Sequence, residues 1–189
     1  MSVSEAVIAQ MRRAALLLSF AAACFALRAE GATGGDDAFA EYSVKAAYLL
    51  KFGGFVDWPA NAFAGPDAPF VIGVLGEDPF GSVLDQIVGT HTVQGRPVVL
   101  KRFTRIDQVR GVNVLYVASS ERDNLSAILA ALNGKNVLTV SDEDMPGVAV
   151  NFVIDRGRVR FDIDLAQAER AGLKISSKLL TVAHNVKTS

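Results

Sequence analysis

Cysteine is almost missing from this chain: Cys24 is the only one. No intramolecular disulfide is available and no thiolate zinc cluster can be assembled. Histidine is nearly as scarce, with only His91 and His184. His91 lies between threonines in a loop, and His184 is expected near the C-terminal end of the last helix, where an imidazolium favours the helix dipole. Neither has a visible orienting partner, so no catalytic role is assigned. The chain also lacks a Gly-x-Ser-x-Gly elbow and a Gly-Lys-Ser/Thr phosphate loop. Neither sign of charge dominates, at 19 basic and 20 acidic residues. That balance gives no footing for nucleic-acid binding and no acidic tail. Catalytic residues, metal ligands and cofactors are therefore all read as none.

What is abundant is apolar sequence, half of the 189 residues. Part of it lies in one N-terminal run. Arg12 and Arg13 precede an uncharged stretch from Ala14 to Leu27, too short to span a membrane comfortably but suited to a signal-peptide core. Ala29-Glu30-Gly31 places small residues at the −3 and −1 positions, so residues 1–31 are expected to be removed on export, leaving a domain over 32–189 without a membrane span. Ala21-Ala22-Ala23-Cys24 only loosely resembles a lipobox, a minor alternative. Export to the periplasm is the expected localisation. The remaining length suits one domain that folds without metal or disulfide support.

After a Gly-rich, flexible start at Thr33 to Asp37, Phe39 to Val56 has helical spacing and Trp58-Pro59 stops it. Phe70 to Leu75 is a continuous apolar run, as expected of a strand covered on both faces. Helices are expected at Pro79 to Val88 and, capped at Ser120, through Leu132. Thr104 to Asp107 reads as the cap of a further short helix. Strands are expected at Pro97 to Phe103, Val112 to Ala118 and Val137 to Val140. Val148 to Ile154 and Arg158 to Leu165 flank Asp155-Arg156-Gly157, a hairpin at a sheet edge. Asp164 with Gln167 caps a short helix, and Ser176 caps a final one running through Val186. The fold class is therefore α/β: a single-domain, three-layer Rossmann or flavodoxin-like sheet, mostly parallel, with a C-terminal antiparallel hairpin.

Open sheets of this kind bind ligands at the carboxyl ends of their strands. Here those ends supply Gly76, Glu77, Asp78, Ser119, Ser120, Ser141 and Asp142 as candidate ligand-binding residues. Glu77 and Asp78 would repel a phosphate, and Ser141 to Asp144 lacks the EF-hand glycine and terminal glutamate, so nucleotide and calcium sites are not expected. Phe52, Phe55, Trp58 and Phe63 form an aromatic group at the end of the first helix; Phe55 and Trp58 are the candidate partner contacts.

Four segments, in order, carry a family resemblance. Val44 to Phe52 with Val56-Asp57-Trp58-Pro59 resembles the opening of YfiR-like proteins. So do Ile72 to Gly81, Val137 to Asp142, and Ala171 to Leu180. The resemblance implies a periplasmic protein that restrains a membrane-bound diguanylate cyclase, or another transmembrane sensor, by binding its periplasmic region. Loss of that restraint would raise cyclic di-GMP and biofilm formation. It also implies homodimerisation. Characterised relatives use cysteines for disulfides and redox response, a pattern from which this chain departs. The alternative is a periplasmic small-ligand sensor or carrier.

Overall fold

The computed structural model describes residues 33–89, 91–142 and 145–188, with the side chains of residues 33–36 left aside. The expected leader at 1–31, with Cys24, lies outside the described residues, as do Glu143 and Asp144. The chain divides into two units between Phe39 and Ala40. The second holds the sheet. Among the described residues no helix is long and apolar enough to cross a membrane.

The first helix, α1 (Thr33–Gly54), starts well before the expected Phe39. Adding a residue to a formed helix costs far less than nucleating one, so Gly34 and Gly35 are carried along despite their low propensity. The helix ends at Gly54, and Val56 joins a short strand β1 (Val56–Asp57). The central strands are β2 (Phe70–Leu75), β4 (Arg96–Phe103), β5 (Val114–Val117), β6 (Leu138–Asp142) and β7 (Val150–Asp155), with β3 (Thr92–Val93) preceding β4. β8 (Arg158–Asp164) closes a hairpin with β7, and β9 (Lys174–Ile175) pairs with β1 in a separate two-stranded sheet. β10 (Asn185–Lys187) ends the chain.

The main sheet has eight strands in the order β10-β8-β7-β6-β5-β2-β4-β3. Its inner five, β4-β2-β5-β6-β7, are all parallel. Numbered by appearance they read 2-1-3-4-5, the flavodoxin-like order. Side chains alternate between two cores. Phe70, Ile72 and Val74 of β2 face one; Val71 and Leu75 face the other. On the first face lie α1 with Ala46, Leu49 and Phe52, and α2 (Ser82–Val88) with Leu84 and Val88. Ala168 of α4 (Leu165–Arg170) and Leu179 of α5 (Ser177–Val182) complete that core. On the second face lies α3 (Leu125–Leu132), through Leu125, Ile128 and Leu132. The chain is thus a three-layer, mostly parallel α/β fold with a C-terminal antiparallel hairpin.

Several boundaries differ from the sequence reading, each for a local reason. The helix expected from Pro79 begins at Ser82, because the Asp78 carboxylate accepts the Phe80 N–H at 2.8 Å and holds 78–80 in a turn. Ser120 does not cap α3: its hydroxyl accepts from the Glu77 N–H at 3.0 Å, and Ser119–Asn124 forms a 3₁₀ turn. Thr104 likewise bonds the Gln108 side chain instead of capping, and only a 3₁₀ turn at Ile106–Gln108 follows. The Asp164 and Ser176 caps are present, accepting from Gln167 N–H and Leu179 N–H. The final helix stops at Val182, and β10 then lies parallel to β8, with Asn185 opposite Asp162. An open sheet edge offers ladder hydrogen bonds that an exposed helical turn does not replace. His184 is therefore not in a helix. Its N–H donates to Phe161 O, and its Nδ1 lies 2.8 Å from Asp162 Oδ1.

Candidate functional site

α1 crosses the sheet from the carboxyl ends of the strands to their amino ends. Tyr42, near its start, reaches Asp142 at the end of β6. Gly53, near its end, lies against Phe70 at the start of β2, so closely that a Cβ would fall 2.6 Å from the ring. The helix thus touches both regions from which candidate residues were drawn.

At the carboxyl ends, the structure groups the seven strand-end residues in two sets. In the first, at the switch point between β2 and β5, Gly76 has φ +91°, and a Cβ there would lie 2.5 Å from Ser120 Oγ. The Glu77 N–H is bonded to that same hydroxyl. Ser119, Ser120 and Glu77 stay exposed. Asp78 turns away toward β4 and accepts from Arg102 Nε at 2.6 Å, while Arg102 also meets Asp85 at 2.7 Å. Those bonds hold the Asp85 carboxyl below its usual range.

The second set, at the end of β6, is buried, with Asp142 toward α1 and Ser141 on the opposite face of the strand beside Met145. Ser141 Oγ donates to Asn151 Oδ1 at 2.6 Å. Asp142 Oδ2 accepts from the Tyr42 hydroxyl at 2.9 Å, and the Lys45 ammonium lies 3.0 Å from Oδ1. That contact is ionic and off the hydrogen-bond axis, for Oδ1 takes no hydrogen bond among the described residues. Lys45 also meets Glu41 at 2.5 Å, one helical turn earlier, and sits 4.5 Å over the Tyr42 ring. Lys45 itself is only 4% exposed. The Tyr116 hydroxyl belongs to the same group: burial first, and the nearby Asp142 charge second, push it far above the usual phenol range. A buried charge must be paired, and here one ammonium serves two carboxylates. The sequence reading named Asp142 but missed Lys45, Glu41, Tyr42, Tyr116 and Asn151. The available signal was Lys45 itself, a cation beside the buried Ala46 and Leu49 with Glu41 four residues before it.

At the amino ends lie the aromatic residues. Phe55 follows α1, its N–H bonded to Phe52 O and its carbonyl accepting from Ser176 N–H. These bonds fix the backbone while leaving the residue 36% exposed. Trp58 is half-buried. Its indole N–H donates to Gly53 O at 2.9 Å, and its ring meets Phe70 edge-on at 5.4 Å. It also lines an open cleft of about 560 Å³ with Ala60, Phe63, Gly65, Pro66, Gln94 and Arg96. Phe52, by contrast, is fully buried, in a three-ring cluster with Tyr48 and Phe152, each 5.9 Å away. The aromatic group therefore divides: Phe52 belongs to the core, Phe55 faces solvent, and Trp58 and Phe63 are shared between packing and surface.

The geometry offers a buried group of ion pairs and hydrogen bonds at one end and an aromatic surface at the other, without a nucleophile aligned to a base among the described residues. No individual curated protein matches the sequence. Residues 42–184, running from the tyrosine that bonds Asp142 to the histidine that bonds Asp162, match the YfiR/HmsC-like family, and the chain belongs to it.

Proposed function

We propose that this protein is a periplasmic regulator that binds and represses the sensor region of a membrane-bound diguanylate cyclase, lowering cyclic di-GMP and biofilm formation. The observation that carries this reading is the family match over 42–184. The family points to regulation in cyclic di-GMP signalling rather than to catalysis. Phe55 and Trp58 are the proposed contacts: an exposed ring on a fixed backbone and a half-buried indole beside it suit a partner anchor. The mechanism is differential binding, in which the repressor holds one state of the sensor and a signal alters that affinity. The small-ligand alternative has less support. Ser141, Asp142 and Asp78 already spend their side chains on internal bonds, and Ser120 fills the space beside Gly76. The test is deletion of the gene with cyclic di-GMP measured in the cell. A rise, reversed by the wild-type chain and not by Phe55→Ser/Trp58→Phe, is expected; an unchanged level where a membrane cyclase is encoded alongside would sink the reading.

A further inference from the structure

The cleft beside Trp58 contains an arginine, Arg96, that has no acid partner among the described residues. Arg96 Nη1 donates to Gly65 O at 3.2 Å and Ala68 O at 2.6 Å, and the guanidinium carbon lies 3.9 Å over the Phe63 ring. The group is thereby held in one orientation. Among the described residues no carboxylate comes within ion-pair distance of it, not even Asp67, which sits between the two acceptor carbonyls in sequence. An arginine has five N–H donors; Nε–H and the Nη2 pair have no acceptor among the described residues. That remaining side is the edge-on fork to which a carboxylate bonds twice.

Gln94 supplies a second polar group. It occupies a left-handed conformation, φ +50°, in the two-residue turn between β3 and β4, where glycine or asparagine is usual. Its amide nitrogen holds the residue there by donating to Gly53 O at 3.3 Å and Val56 O at 3.1 Å. The amide oxygen keeps its acceptor capacity. Trp58, Phe63 and Pro66 supply apolar walls to the same cleft.

We propose, resting on the reading that this face meets a partner, that the cleft takes a peptide segment carrying an aspartate or glutamate next to an apolar residue. The carboxylate takes the free fork of Arg96, a backbone N–H donates to Gln94 Oε1, and the neighbouring apolar side chain packs on Trp58 and Phe63. Charge complementarity selects an acidic segment, because a fixed, half-buried cation without a counter-charge gains more from a carboxylate than a solvated one does. The free amide acceptor and the apolar walls select a peptide over a bare anion.

Trp58 is the only tryptophan in the chain, so its indole N–H gives a single, local nuclear magnetic resonance probe of the cleft. The purified full chain is titrated with acetyl-Phe-Glu-Leu-Gly-amide and with the glutamine analogue of that peptide. The glutamate peptide is expected to shift the Trp58 indole signal saturably, and the analogue to bind about tenfold more weakly. Arg96→Gln should erase that difference, and Arg96→Lys should keep part of it. Because Arg96 also ties down the loop, the two-peptide comparison on wild-type protein stands even if the variants misfold. Equal titration by both peptides, or no shift at millimolar peptide, overturns the proposal. Binding of 3-phenylpropionate as strong as that of the glutamate peptide also overturns it, assigning the cleft to a small free acid. The parent reading fails separately: if gene deletion leaves cyclic di-GMP unchanged, the regulator falls while the peptide titration still reports on the cleft.

Discussion

Replacing Lys45 by methionine removes the ammonium that Glu41 and Asp142 share. The two carboxylates respond differently. The Glu41 side chain is 34% exposed and can turn to water, whereas that of Asp142 is 11% exposed and cannot. Asp142 would keep only neutral hydroxyls, those of Tyr42 and Tyr116, beside its charge among the described residues. Breaking a buried pair by deleting one partner costs about 3–5 kcal/mol, because the remaining charge is left uncompensated. Methionine fills a similar volume, so packing loss adds little. With a urea dependence of about 2 kcal/mol per molar, the unfolding midpoint should fall by roughly 2 M. Trp58 fluorescence supplies the assay. Asp142→Asn in the Lys45→Met background should restore much of the loss, giving a coupling of about 2–3 kcal/mol in the double-mutant cycle. A midpoint that falls by less than a quarter of a molar, or a double variant no better than Lys45→Met alone, would refute the claim that this charge is held by its partner.

Three further outcomes follow from named contacts. The Tyr116 hydroxyl is raised in the folded state by burial and Asp142, so the native form keeps a proton that the unfolded chain releases above about pH 10. Its contribution is complete below that pH and is lost as pH rises, at about 1.4 kcal/mol per pH unit; Tyr116→Phe should flatten this alkaline limb in urea midpoints, and an unaltered slope would discount it. Gly76→Ala should cost more than about 2 kcal/mol, since φ +91° is strained for alanine and the new methyl meets Ser120 Oγ; a thermal midpoint within a degree of wild type would contradict both reasons. Trp58→Phe loses the bond to Gly53 O and should cost about 1 kcal/mol, while Phe55→Ser should leave stability nearly unchanged and weaken partner capture; a large stability loss at Phe55 would place its ring in the core.

Strands β2 and β5 were legible because burial on both faces writes an unbroken apolar run, which has few other readings. The hairpin of β7 and β8 was legible from Val159, Phe161 and Ile163 alternating with charges. Asp164 and Ser176 were legible as caps because a cap depends on residues within one turn. The misreadings share the opposite character. Ser120 has a cap's sequence context, but its hydroxyl is claimed by Glu77, 43 residues away. Asn185 to Lys187 look like the end of a helix until β8 provides an edge. Strands β1 and β9 pair only two residues each, too few for a periodic pattern. At the site, Asp142 could be named from its place at a strand end, but its partners lie 97 and 100 residues before it, at Lys45 and Tyr42. Arg96 escaped notice because its significance lies in what does not pair with it.

The way α1 is fastened has a practical consequence for length. From Lys45 to Gly53 the helix advances about 12 Å, and each end has a neighbour that tolerates no substitute: Asp142 at one, the Phe70 ring at the other. Adding one residue between them would rotate the far part by about 100° and bring a side chain where only a hydrogen fits. Insertions in the loop of residues 59–69 should be absorbed, whereas a single insertion between 46 and 52 should wreck both ends together. The segment works as a ruler, and its number of residues matters as much as their identity.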